Sequence, residues 1–425
     1  MNPNVLIALT VFIITFYFII TEKIPRSSAA IAGGAAVVFF KVIDEHEALY
    51  AVSSNIEILI LLMGLMIIVN IMAETGIFQW TAIKIAQSAK GDPIKIMIFL
   101  GIVSAIASAL LDNVTTILLI FPISILIAEQ LKIDSLPFLF TEIFSVNIGG
   151  AATLIGDPPN LIIGTKSGLG FNDFLLNMGP IVIINMILFL ALMVVFFHKK
   201  LHVSRMNKAK IMEMDAGRII QDKVLLKKSI LVFILVMAGF VSNVITGIGL
   251  AVISISGATL LILLTKKDPE EIYKHIEWST LFFFAGLFIL VDGLAATGLI
   301  SDVGDFILDV TKGNAKFAVI LTVISSTVIA PIIGVVPYTI SFTKIIGELI
   351  PQMGENTAPL WWALSMGVCF GGNMTLIGAA ANIVGANIAR KAGKEIGFFH
   401  FFKFGIIITF QSLLLSIVYL LVRYF

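Results

Sequence analysis

The sequence predicts an all-α polytopic membrane protein made of two inverted-topology repeats, each with five transmembrane spans, one re-entrant hairpin and a broken helix. Three observations lead there. Hydrophobic residues make up 58% of the 425-residue chain and charged residues 13%, more apolar surface than a soluble fold of this length can bury. The string Gly149-Gly150-Ala151-Ala152-Thr153-Leu154-Ile155-Gly156 returns 222 positions later as Gly371-Gly372-Asn373-Met374-Thr375-Leu376-Ile377-Gly378. A second match keeps that register, with Gly64, Val69, Asn70, Ala73, Thr75 and Gly76 against Gly286, Val291, Asp292, Ala295, Thr297 and Gly298. Breaks at corresponding points of two apolar repeats point to a transporter's binding site, because unwound backbone at membrane depth must line a cavity or be buried in protein.

The first apolar run, 4–20, has no basic start and no small-residue cleavage motif ahead of Glu22 and Lys23, so it reads as a retained span. Runs at 28–42 and 56–73 are further spans. The run from Ile94 to Ile127 is too long for one helix and carries Asp112-Asn113 at its middle. It is expected to form a re-entrant hairpin with Asp112, Asn113, Thr115 and Thr116 at the tip. The run from Pro137 to Ile163 is interrupted by Gly149-Gly150 and again by Gly156-Asp157-Pro158-Pro159-Asn160, which predicts a helix broken within the membrane. A span at 179–197 closes the half. The second half repeats the plan at 229–246, 248–264, 276–296, 315–346, 360–388 and 404–422. Five crossings and a hairpin make an odd number of passes, so the second half is expected upside down relative to the first.

The two repeats, 1–197 and 229–425, flank a linker, 198–228, that alternates charged and apolar residues. It is expected to be a solvated connector holding a short surface helix. Most of the 28 Lys and Arg, including Arg26, Lys84, Lys132, Lys266 and Lys267, fall on one side of this topology. That bias places 198–228 in the cytoplasm and both termini outside the cell membrane.

An ionised Asp at a helix centre in lipid costs about 3 kcal/mol, so Asp112 and Asp157 are expected to face a wet cavity or a cation. Freed carbonyls with Asn113, Thr115, Thr116, Asn147, Thr153 and Asn160 offer oxygen ligands for a hard cation. The half-helix amino ends after Gly150 and Gly372 offer N–H groups that suit an anion or a polar oxyacid. Asn70 and Asp292 hold equivalent positions near a span's end, where interhelical bonding and coupling both fit. Glu57 and Glu74 read as interfacial, His275 and His400 as loop residues, and Trp361 and Trp362 as part of an interface belt. One cysteine, Cys369, leaves no intrachain disulfide and no multi-thiolate metal site. No metal site and no cofactor are expected beyond a transported or coupling H+ or Na+. A net charge of +1 makes no case for nucleic acid. There is no G-x-x-x-x-G-K-[ST] loop, so ATP hydrolysis by the chain is not expected and an ATPase subunit is not indicated. No paired nucleophile and base point to an enzyme.

The string Asp112-Asn113-Val114-Thr115-Thr116, followed by Asn147-Ile148-Gly149-Gly150 and its continuation to Asn160, resembles the ArsB/NhaD permeases of the ion transporter superfamily. That group includes arsenite efflux proteins, sodium–proton antiporters and the pigmentation P protein. The resemblance spans nearly the whole chain. It implies hairpins and broken helices that meet at a central site, movement of that unit against a scaffold, and a homodimer. It sets the tip residues Asp112, Asn113, Thr115 and Thr116 against Asn147, Gly149, Gly150, Thr153 and Asp157. Gly371, Gly372, Asn373, Thr375, Gly378 and Asn382 then form the second broken helix. The second tip departs from the pattern: Asp-Asn-Ile-Pro of many relatives is here Gly334-Val335-Val336-Pro337-Tyr338-Thr339, which leaves Pro337, Tyr338 and Thr339. Lys344, just beyond, is expected to replace a cation there, paired with Asp112 or Asp157. The expected function is secondary active transport of a small inorganic ion, by arsenite or antimonite efflux or sodium–proton exchange. An anion symporter of the same superfamily is the alternative within this class, and an ion channel the alternative outside it. The expected partners are the lipid bilayer, the small inorganic ion and a second copy of the chain.

Overall fold

The computed structural model describes residues 3–21, 23–220, 222–265, 267–353 and 357–425; Glu22 and Lys266 lie outside the described residues. The described residues form helices and no strand. The first half opens with α1 (Pro3–Thr21), α2 (Arg26–Phe39), α3 (Glu45–Ser53), α4 (Ile56–Ala73) and α5 (Ile77–Ser88). The hairpin is α6 (Pro93–Leu110) and α7 (Asn113–Leu131), the broken helix α8 (Leu136–Gly150) and α9 (Pro158–Ser167), and α10 (Phe171–Phe197) completes the half. After α11 (Arg205–Met212) the second half runs α12 (Lys223–Thr246), α13 (Leu250–Thr265), α14 (Pro269–Tyr273), α15 (Trp278–Ala296) and α16 (Leu299–Thr311). It ends with α17 (Ala315–Ile333), α18 (Val335–Met353), α19 (Pro359–Gly371), α20 (Ala380–Lys391) and α21 (Phe398–Tyr424). The starts of α4 to α9 recur in α15 to α20 within one residue of the 222-position offset. Among the described residues nine helices are long and apolar enough to cross a membrane, and α2, α8, α13 and α19 are shorter apolar helices. The protein is a polytopic helical membrane protein.

The core is built on α8 and α19. Every residue from Pro137 to Gly150 and from Pro359 to Gly371 is buried, the pattern of a helix surrounded on all sides by protein. Trp361 and Trp362 therefore do not form an interface belt: they are core residues, and Trp362 meets Phe174 edge-on at 5.1 Å. Small residues set the close packing, since apolar surface alone does not drive helices together in lipid. A Cβ on Gly149 would overlap the backbone of Ala105 in α6, and one on Gly371 would overlap that of Thr327 in α17. Positions 105 and 327 are themselves related by the offset.

Around this core the halves exchange partners. In the first, α4 lies on α13, where Gly64 meets the backbone of Ser254 and Ile255; in the second, α15 lies on α2, where Gly286 meets Ala30 and Ile31. The linker is largely exposed and holds the short helix α11, and it is also docked on the first half. Asn207 in α11 donates to the Leu131 carbonyl at 3.1 Å, Gln87 donates to the Met214 carbonyl at 2.7 Å, and Ile211 is fully buried. The apolar residues interspersed with its charges are the docking face, and α12 begins at Lys223, inside the segment assigned to the linker.

Gly149→Val is expected to destabilise the protein by about 1–3 kcal/mol, the usual cost of overpacking. Gly179→Ala, with only Leu175 near the added methyl, should leave stability unchanged. Thermal unfolding in detergent, followed by retained monodispersity, checks both.

Candidate functional site: two helix breaks around one cavity

Residues 151–157 and 372–379 interrupt the two core helices, and each gap is closed by the same bracket. The Asn160 amide donates to the carbonyls of Thr153 at 2.9 Å and Ala151 at 3.3 Å. The Asn382 amide donates to those of Thr375 at 2.9 Å and Gly372 at 2.8 Å. Thr153 and Thr375 hydroxyls tie the breaks to the hairpins, donating to the carbonyls of Ala109 and of Pro331 (2.8 Å). The brackets are then joined across the halves. The Asn147 amide donates to Oδ1 of both Asn373 and Asn382 at 2.8 Å, and Asn160 Oδ1 accepts from Ser365 at 2.7 Å and from the Cys369 thiol at 3.5 Å. Positions 147 and 369 are equivalent, so each core helix holds the opposite half's asparagine. Each unmade bond of this kind would cost about 1–3 kcal/mol.

Gly150 is needed for a close approach: a Cβ there would strike Asn113 Oδ1 and crowd Ser108. The first hairpin tip therefore reaches the break, and Ser108 donates to Asn113 Oδ1 and to the Val146 carbonyl. A cavity of about 200 Å3 opens beside it. Asp112, Asn113 and Asp157 line it from the first half, Val335, Val336 and Ala379 to Ala381 from the second, and Arg26, Ser27, Glu277, Ser279 and Thr280 from the starts of α2 and α15. Ser27 and Ser279 hydroxyls meet at 2.9 Å, and Thr280 donates to Glu277 at 3.0 Å.

The two halves present unlike helix starts to this cavity. Asp112 is the N-cap of α7, accepting from Thr115 N at 2.8 Å, while the Thr116 hydroxyl donates to its carbonyl at 2.9 Å. Asp157 is the N-cap of α9 and is 6% exposed, with Cys369 and Asn113 facing its carboxylate. Pro158 and Pro159 remove two N–H groups from that start. The equivalents of the two acids are Gly334, at φ +102°, and Ala379, which has no side chain that could cap α20. The first half thus places carboxylates where helix starts carry partial positive charge, and the second leaves that charge uncovered.

Of the residues expected at the site, Asp112, Asn113 and Asp157 line the cavity. Asn147, Asn160, Asn373, Thr375, Asn382, Thr153 and the Gly149, Gly150, Gly371, Gly372 and Gly378 backbone form its frame. Thr115 and Thr116 sit in the first turn of α7. Pro337 borders a neighbouring cavity of about 80 Å3. Tyr338 turns back to α17, where Ser326 donates to its hydroxyl at 3.2 Å, and Thr339 is buried with its hydroxyl on the Val335 carbonyl. Lys344 pairs with Asp292 and with neither Asp112 nor Asp157, because α18 packs against α15 at that level. That pair borders a separate, more open cavity with His46 and Glu47. Asn70 donates to the His275 carbonyl at 2.8 Å, Glu74 pairs with Lys267, and His400 lies in the first turn of α21 with its ring 5.2 Å from Phe140. The residues missed from sequence are those at the starts of α2 and α15, above all Arg26, which span counting assigned to a loop, and Glu277. The 222-position offset applied to Asp112 and Asp157 is the signal that points to Gly334 and Ala379.

The family model described as citrate transporter matches residues 16–367. The chain belongs to the CitMHS family. An uncharacterized transporter of Mycobacterium bovis is 41% identical to it over 423 residues, which cover 99% of this chain and 98% of that protein. A 46 kDa membrane protein of Mycobacterium leprae is 40% identical over 422 residues, with 98% of each covered. The human P protein is 32% identical over 506 residues, covering all of this chain and 60% of that protein. The CitMHS chain is a membrane transporter, and the likeness to P protein drawn from its motifs holds.

If the crossed brackets act as a unit, Asn147→Ala and Asn382→Ala should be non-additive in this CitMHS protein, with a coupling of about 0.5–3 kcal/mol. A double-mutant cycle on thermal or denaturant unfolding in detergent measures it, and strict additivity would show that the 2.8 Å bond carries no energy.

Proposed function

We propose that this CitMHS protein is a secondary transporter of a small organic acid of the citrate class, moved together with a cation. The observation that carries this reading is the pairing, around one cavity, of helix starts that bear an acid at the N-cap position in the first half, Asp112 and Asp157, with starts in the second half that bear none. A bare helix amino end suits a carboxylate, and Arg26 adds a positive charge beside it. Asp112, Asp157 and Glu277 outnumber Arg26 among the described lining residues, so an unaccompanied polyanion would meet excess negative charge. A cation or protons bound at Asp112 and Asp157 remove that excess and tie the two fluxes together. Hydroxyls of Ser27, Ser279 and Thr280 would orient the acid. The cavity is smaller than the roughly 300–1,000 Å3 of sites for drug-sized ligands, which suits such a cargo.

The family description and the inverted repeat read from the sequence support alternating access in the cell membrane. The two hairpins, re-entrant in this reading, would move with α8, α9, α19 and α20 against α2, α4, α13 and α15. Arg26 and Glu277 lie at the ends that the Lys and Arg bias assigns to the cytoplasm, so the cavity would be reached from that side. Exchange of Na+ for H+, or arsenite efflux, is the second reading, favoured by the two acids Asp112 and Asp157.

Proteoliposomes with an imposed pH gradient separate these readings. Labelled citrate uptake that saturates, and that rises with Na+ or a divalent cation, is the expected result. Asp112→Asn should remove the cation dependence, and Ala379→Asp, which copies the first half's cap, should lower uptake by about tenfold or more, a change of about 1.4 kcal/mol. Silence with citrate but gradient collapse on adding Na+ or arsenite would replace this reading with the second.

A further inference from the structure

Glu142 lies midway along α8 and is fully buried, in the seam between α8 and α7. Its Oε1 accepts a hydrogen bond from the Ser124 hydroxyl of α7, and its Oε2 has no partner. No salt bridge among the described residues reaches it. Charged groups on the helices packed against α8 stand near their ends: Lys95 on α6, Glu129 on α7, Asp173 on α10, Arg390 and Lys391 on α20, and Lys403 and Arg423 on α21; all but the half-buried Asp173 are exposed. His400 meets Phe140 edge-on, two residues away and on another face of α8. At the equivalent positions of the second half, Leu364 replaces Glu142 and Ile346 replaces Ser124, both fully buried. Packing at this level is therefore served by a leucine and an isoleucine, and the acid with its hydroxyl is an addition peculiar to the first half.

An ionised carboxylate with one donor and no counter-ion, held away from water, is strongly disfavoured. The neutral acid fits the surroundings: its O–H donates to Ser124, whose hydroxyl in turn reaches the Ile120 carbonyl at 3.4 Å. Further buried hydroxyls stand on α8 and α6 in the direction of the cavity wall, and water between them would complete a lane from the acid. Ser145 is one turn further along α8 and Ser104 lies on α6, both buried with hydroxyls that lack a partner. Ser108, one turn beyond Ser104, bonds Asn113 at the cavity wall. Unpartnered buried hydroxyls are places for ordered water, and a water-filled chain of this kind would carry protons.

We propose that Glu142 is a proton-binding site that couples transport to the proton gradient. Its carboxylate takes a proton from water on one side, becomes the neutral acid in the buried state, and returns the proton to water on the other side when the lane is re-exposed. The site rests on the secondary-transport reading but on no particular cargo. Infrared spectra of the protein in lipid films, titrated with pH, test the site directly. A carboxylic C=O band that fades as pH rises and is absent from Glu142→Gln is expected. A band that persists in that variant, or a Glu142 band that never changes with pH, would overturn the proposal. In proteoliposomes Glu142→Gln should retain labelled-citrate counterflow at equal pH and lose its stimulation by a pH gradient; stimulation kept in full would also refute it. Glu142→Leu, which installs the other half's residue, guards against misfolding and should behave in the same way. If the wild type moves no citrate, the cargo reading fails while the infrared band still decides the role of Glu142.

Discussion

Backbone groups released where a helix breaks inside a membrane have no water to bond, and this requirement organises the molecule. Asn160 and Asn382 meet it by folding their amides onto the carbonyls of their own breaks. Their remaining oxygens are taken by the opposite half, through Ser365 and Cys369 on one side and Asn147 on the other. The breaks are thus stable only together. Because they are held back to back, the helix starts that follow them open onto one shared cavity, and the glycines that let the hairpins approach are required at the same points.

Frame and lining have diverged to different degrees. Gly149 and Gly371, Thr153 and Thr375, Gly156 and Gly378, and Asn160 and Asn382 remain identical across the offset, since each satisfies backbone or admits a neighbour's backbone. Asp112 and Asp157, which do neither by necessity, face Gly334 and Ala379. A symmetric cavity would offer two like sites. This one offers unlike sites side by side, as the proposed cargo and its counter-charge would require.

Much of the frame was legible in the sequence because its causes are local: a Gly-Gly pair, a Pro-Pro pair and a repeated spacing mark the breaks whatever surrounds them. The element starts from α4 to α9 and α15 to α20 follow from that repetition. The lining was only half legible. Asp112 and Asp157 announce themselves as acids in apolar runs, whereas Arg26 and Glu277 stand at span ends, where charge is ordinary, and become part of a cavity only through the packing of α2 on α15. Trp361, Trp362 and the partner of Lys344 went astray for a related reason. Hydropathy cannot distinguish a face turned to lipid from one turned to protein, and a lysine's reach cannot be assigned until the neighbouring helix is known.

The acids at the first hairpin tip, within α8 and at the first break show one further regularity. Asp112, Glu142 and Asp157 all belong to the first half, and their counterparts Gly334, Leu364 and Ala379 are uncharged. Lys344 belongs to the second, opposite Pro122. Duplication supplied a frame in which helix dipoles converge on one point from both sides, and substitution then set negative charge on one side only. Such a frame would let a cation or proton sit against the first half and an anion against the second, as the proposed transport requires, without either half rebuilding its backbone. The brackets allow this because they involve uncharged amides, hydroxyls and a thiol. Charge at the lining positions can change while the bonds that keep the breaks closed stay as they are.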